Sequence, residues 1–210
     1  MHLESLPLFS LTTVLYPDEV LPLHVFEPKY KQMVEDCLAN DAPFGVILNR
    51  EGVLEDIGCT ASITKVTAVG ENGEKDIIVT GMERFRIREV FRNQLYLTAD
   101  IDALLDHKAP LSASATERVI AQHIKLLELA GRTPSPVMYQ ERERLSFFIA
   151  HNAGLTIDQK QEVLELGGES DRITYLIAHL ERFIPAVEEA ESVRKKVRSN
   201  GHFKDFPPEI

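Results

Sequence analysis

The hydrophobic period of the chain changes once, near Pro110, from two residues to about 3.6. A period of two belongs to strands and one of 3.6 to helices, so the chain must build two unlike halves. In the first half, Leu6-Pro7-Leu8-Phe9 and the apolar run from Val20 to Phe26 are each interrupted by proline. Proline cannot donate to a strand ladder, so these runs are expected as edge or bulged strands. Residues 44–48 form a compact apolar run, and residues 60–69 are rich in β-branched side chains that suit a pleated surface. Asn72-Gly73 signals a hairpin turn with positive φ at both central positions, and residues 76–80 return from it. Residues 85–90 alternate apolar and charged, and residues 95–101 pair back across a turn at Arg92-Asn93-Gln94. One helix interrupts this half. Pro28 suits the first helical position, Glu27 stands at the positive end of the dipole, and Tyr30, Met33, Val34 and Cys37 mark one face.

In the second half Ser114 with Glu117 reads as a capping box, followed by Val119, Ile120, Ile124, Leu127 and Leu129 up to Gly131. Leu145, Phe148, Ile149 and Asn152 mark a helix that ends at Gly154. Thr156 with Gln159 is a second capping box, opening a short helix before Gly167-Gly168. Ile173, Leu176, Ile177, Leu180 and Ile184 make the clearest stripe, and Pro185 is expected to kink or restart that helix. Val187, Ala190, Val193 and Val197 continue more thinly, with Glu191 and Lys195 as an i,i+4 pair. The fold class is therefore α+β with segregated parts. The halves are residues 1–108 (β-rich) and 109–200 (helical), with a frayed tail over 201–210.

Composition narrows the function classes. The net charge of −10 opposes phosphate binding, so no nucleic acid is expected, although Arg84, Arg86, Arg88 and Arg92 alternate along one predicted strand. No run of about 18 apolar residues exists, so no membrane span is expected. The start Met1-His2-Leu3-Glu4-Ser5 lacks a secretory pattern, and a cytoplasmic location is expected. Cys37 and Cys59 form no CxxC pair and read as half-buried thiols. The mixed run Glu141-Arg142-Glu143-Arg144 reads as a solvated helix face.

Several blocks, in order, resemble one family. They are Leu6-Pro7-Leu8-Phe9-Ser10-Leu11, Val14-Leu15-Tyr16-Pro17, and the stretch from Leu21-Pro22-Leu23-His24 through Val25-Phe26-Glu27-Pro28-Lys29-Tyr30. Phe44-Gly45-Val46, Ile57-Gly58-Cys59-Thr60-Ala61-Ser62-Ile63 and Gly81-Met82-Glu83-Arg84-Phe85-Arg86-Ile87 follow. Gln161-Glu162-Val163-Leu164-Glu165, then Arg172-Ile173 and Leu176, complete the set. Together they resemble the N-terminal substrate-recognition domain of Lon-type ATP-dependent proteases over residues 6–184. Asp18-Glu19 stands where the family has glycine, Tyr16 where it has Phe, and Lys29 where it has Arg.

The resemblance implies a twisted, PUA-like β pseudobarrel with one inserted helix, followed by a helical bundle. It also implies a role in recognising substrate proteins. The chain lacks GxxxxGK[ST], and no counterpart of a Ser–Lys protease dyad is found, so it is expected to stand alone without ATPase or protease. No HExxH, HxH or GxSxG occurs, so no catalytic residue, metal or cofactor is expected. The expected ligand is unfolded or extended polypeptide, with Lon-type protease machinery as a further partner; the oligomeric state stays open. Candidate wall residues are Phe9, Tyr16, His24, Phe26 and Tyr30. Phe9 and Phe26 are expected in the core, and Tyr16 and His24 on a wet rim. Two alternatives stand beside this. One is a small-molecule pocket, which the absence of Trp weakens; the other is self-association through the stripe from Val187 to Val197.

Overall fold

The structure, a computed structural model, describes residues 2–92 and 95–200, with side chains for residues 4–92 and 95–194. The turn expected at Arg92-Asn93-Gln94 therefore falls largely outside the described residues, and the tail over 201–210 wholly so.

Among the described residues up to 103 there are seven strands and one helix: β1 (His2–Leu11), β2 (Val20–Val25), α1 (Pro28–Asn40), β3 (Phe44–Arg50), β4 (Val53–Leu54), β5 (Ile57–Val69), β6 (Lys75–Phe91) and β7 (Thr98–Ala103). The sheet runs β1-β7-β6-β5-β3, and a parallel pairing of β1 with β3 closes it into a ring. The ring is a pseudobarrel rather than a regular barrel, because β4 and β2 hang from it on β3 and β6. The two proline-bearing strands take different solutions. β1 pairs first with β7 and then with β3, and bulges between Leu3 and Leu6, with Ser5 at φ 54°. β2 pairs with β6 only and keeps an open edge among the described residues.

Strand pairing corrects two expectations. Residues 76–80 and 85–90 are parts of one 17-residue strand, β6, whose first part pairs with β2 and whose later part pairs with β7. The hairpin at Asn72-Gly73 is a loop over residues 70–74, in which Gly73 alone has positive φ, at 76°. Gly70 N–H donates to the Glu74 carbonyl (2.8 Å) and closes it.

The rest is helical: α2 (Ala113–Leu129), a 3-10 turn (Pro136–Tyr139), α3 (Leu145–His151), α4 (Ile157–Glu165) and α5 (Glu169–Asn200). Ser112, not Ser114, caps α2, its hydroxyl accepting from Ala115 N–H at 3.5 Å. The Thr156–Gln159 capping box on α4 is present in both directions. α5 runs through Pro185 without a restart. Glu191 pairs with Arg194 (3.3 Å), and the Lys195 side chain lies outside the described ones.

Three clusters make the core. Phe9, Leu15, Val25, Met33, Val34, Phe44 and Val79 pack between α1 and the sheet, while Leu8, Ile47, Phe85 and Ile101 pack in the ring. The largest cluster joins the helices to Val14, Tyr16, Leu48 and Ile57 of the β half.

Candidate functional site

The joint between the strands and the helices is built from charged and aromatic side chains. Tyr16 is 1% exposed, and its ring stacks on Phe147 with centroids 5.2 Å apart. Its hydroxyl donates to the Lys160 carbonyl (3.0 Å). Burial pushes the Tyr16 phenol well above its ordinary pKa. Arg84 donates to the carbonyls of Leu164 (2.5 Å) and Leu166 (2.7 Å) and to the Asp106 carboxylate (2.5 Å). Arg172 meets the same carboxylate, lies 4.2 Å from the Phe147 ring centroid, and donates to the Ser146 hydroxyl (2.7 Å) and Glu169 (2.9 Å). Burial alone raises the Asp106 carboxyl, but Arg172 and Arg84 outweigh it and hold the group below the ordinary carboxylate range.

Arg84 is thus not one tooth of an exposed arginine row. It is buried, while Arg86, Arg88 and Arg92 are exposed. The motif arginines Arg84 and Arg172 act in the joint.

Beside the joint opens a cleft of about 520 Å³. Pro17, Asp18, Glu19 and Val20 form one wall, and residues 141–144 with Phe147, Phe148 and His151 form the other. Residues 141–144 precede α3 as a turn, rather than forming the helix face expected from their charges, and Glu141 has φ 56°. Arg142 lies over Phe148 (3.7 Å to the centroid), and Arg144 reaches the Met82 carbonyl (2.7 Å) and the Glu83 carboxylate. His151 Nδ1 lies 2.6 Å from Glu19 Oε1. Asp18, where the resembled family has glycine, takes φ 64°, a region that Asp tolerates better than most side chains.

β2 leads from this cleft to a second, smaller one of about 110 Å³, lined by Phe9, Leu23, His24, Phe26, Glu27 and Tyr30 among others. Four of the five sequence candidates meet here. Phe9 and Tyr30 are buried and stack 4.0 Å apart, with the Tyr30 and Ser10 hydroxyls 2.7 Å apart. His24 is exposed and pairs with Asp76 at 2.6 Å. Phe26 is 57% exposed and stacks on His24, 5.7 Å away, instead of entering the core. It follows the last residue of β2, where the chain turns into α1 and the interior position is taken by Val25. Tyr16 is apart from this group and does not stand on a wet rim, because the Lys160 carbonyl satisfies its hydroxyl inside the joint.

Sequence reading missed the larger cleft altogether. Its two walls, residues 17–20 and 141–151, are far apart in the chain, and no local pattern links them.

A sequence profile of the ATP-dependent protease La (Lon) substrate-binding domain matches residues 5–182. The chain belongs to the Lon substrate-binding domain family. Lon protease of Dictyoglomus thermophilum is 26% identical over 93% of this chain and 26% of its own length. Lon protease 2 of Myxococcus xanthus is 28% identical over 85% of this chain and 24% of its own. The chain thus spans about a quarter of the length of the curated Lon proteases it matches. A crystal structure of a Lon N-terminal domain protein from Xanthomonas campestris superposes with a TM-score of 0.69 at 24% identity, covering 84% of this chain and 98% of that one. The N-terminal domain of a Mycobacterium avium complex Lon protease gives 0.60 at 17% identity, covering 85% and 98%. These two show the shared Lon-domain fold. No helix among the described residues is long and apolar enough to cross a membrane.

Proposed function

We propose that this chain is a non-catalytic module that recognises extended segments of polypeptide. The observation that carries the reading is the edge of β2 left open among the described residues, with a cleft at each end of the strand. An unpaired edge offers backbone donors and acceptors to an added strand, and flanking pockets take its side chains. Six residues of strand span about 20 Å, enough to hold a short extended segment. Membership of a family described as substrate-binding supports the same reading. The relatives' names suggest a Lon-type protease assembly as the setting.

In this reading His24 and Phe26 touch the ligand, Phe9 and Tyr30 support the floor beneath them, and Tyr16 holds the joint. A small molecule in the larger cleft is the second reading, favoured by a volume within the range of about 300–1,000 Å³ typical of ligand sites. Self-association has less behind it: Val187 packs in the helical core and Val193 is exposed, while the Val197 side chain lies outside those described.

The test is binding of a reduced and alkylated polypeptide that cannot fold, followed by hydrogen exchange. Slowed exchange at the β2 amides, with affinity lowered roughly tenfold by the double variant His24→Ala, Phe26→Ser and an unchanged melting temperature, is the expected result; tenfold corresponds to about 1.4 kcal/mol. Binding without protection of β2 would move the site elsewhere.

A further inference from the structure

We infer that the larger cleft selects a bulky apolar residue flanked by lysine or arginine, and so sets the sequence preference of the polypeptide site. This rests on the reading of β2 as the docking edge. Val20 is the first residue of β2, is 58% exposed, and lines the cleft. A segment added along β2 therefore runs its end into this space. The apolar residues lining it are exposed Val20, half-buried Phe148 under the Arg142 guanidinium, and Phe147, which is only 3% exposed.

The charge around it is unbalanced. Asp18, Glu19, Glu141 and Glu143 line it together with Arg142 and Arg144, a formal −2 before His151 is counted. Arg144 is engaged by Glu83 and lies 3.8 Å from Asp18, and Glu19 is engaged by His151 and by the Tyr16 N–H (2.9 Å). Arg142 is turned onto Phe148 and donates to the Met138 carbonyl (2.6 Å). Glu141 and Glu143 form no ion pair among the described residues. Both are exposed residues that line the cleft along with Phe147 and Phe148, and no described side chain is ion-paired to them. A ligand that brings an apolar side chain and a neighbouring cation satisfies both features at once, and a ligand with a neighbouring carboxylate meets like charge.

The experiment uses the full chain and short, fluorescently labelled peptides in three forms that differ only beside one central Phe: Lys-flanked, Ser-flanked and Glu-flanked. A fourth, Lys-flanked peptide carries Ser in place of Phe. The expected order of affinity is Lys over Ser over Glu, with about tenfold between the extremes and a comparable loss on removing Phe. The double variant Glu141→Gln, Glu143→Gln should narrow the Lys–Glu gap to about threefold or less, and raising salt from about 0.15 M to about 1 M should narrow it in the parent chain. Hydrogen exchange at β2 separates the two claims. Protection of β2 with equal affinity for the Lys- and Glu-flanked peptides overturns the preference and leaves the docking edge standing. A Lys preference that survives the Glu141, Glu143 variant places its origin outside this cleft and also overturns the inference. Binding of none of the peptides overturns both.

Discussion

His123 lies in the helical core with no exposed surface, and burial, with a smaller contribution from Arg132, pushes its pKa from 6.5 down to about 4. Nδ1 is 2.9 Å from the Tyr139 hydroxyl, and Nε2 has no hydrogen-bond partner among the described residues. The ring is therefore neutral when folded, while the unfolded chain takes up a proton near pH 6.5. Between those values the unfolded state binds the extra proton, so stability falls as pH drops from 6.5 to 4. The loss from this group is about 3 kcal/mol at the acid end. Denaturation measured across that window in parent and His123→Gln should show a shallower pH slope in the variant. The sequence marks a histidine amid apolar residues here, but neither its burial nor its Tyr139 partner is readable from spacing. Cys37 and Cys59 are fully buried rather than half-buried, and burial raises the Cys37 thiol to about 11.

Elements were legible where their signal is local. The capping box at Thr156 and the proline start of α1 appear where their residues place them. The strands were harder, because a strand's limits depend on its partners. β6 reads as two pieces since Gly81 interrupts its apolar pattern, yet it is continuous because β2 and β7 pair with it in turn. Gly81 itself is required by a close approach: a Cβ there would fall on the Tyr16 carbonyl oxygen. That oxygen is backbone and cannot swing aside, so Gly81→Ala should cost about 3 kcal/mol. A urea titration checks this, and a change within about 0.5 kcal/mol of the parent would show that the turn before β2 gives way instead.

At the scale of the molecule, one carboxylate holds two buried arginines at the joint, and the Phe147 ring meets both Tyr16 and Arg172. Arg172→Ala leaves the Asp106 carboxylate to Arg84 and the Glu169 carboxylate to Ser146, and opens space beside Phe147. The expected loss is about 2–4 kcal/mol. Arg172→Lys should recover part of it, since the charge returns without the planar fork. Denaturant midpoints for the three proteins give the comparison, and equal midpoints would mean that the joint contributes nothing to stability. The sequence by itself determined the change from strands to helices, most of the elements and the family, because periodicity, caps and motif order are local properties of the chain. Only the tertiary structure decided that β2 keeps an open edge among the described residues, that Phe26 faces solvent while Tyr16 is buried, and that residues 17–20 and 141–151 enclose a cleft. Those outcomes depend on which distant segments pack together, and a side chain's own pattern carries no record of its neighbours across the fold.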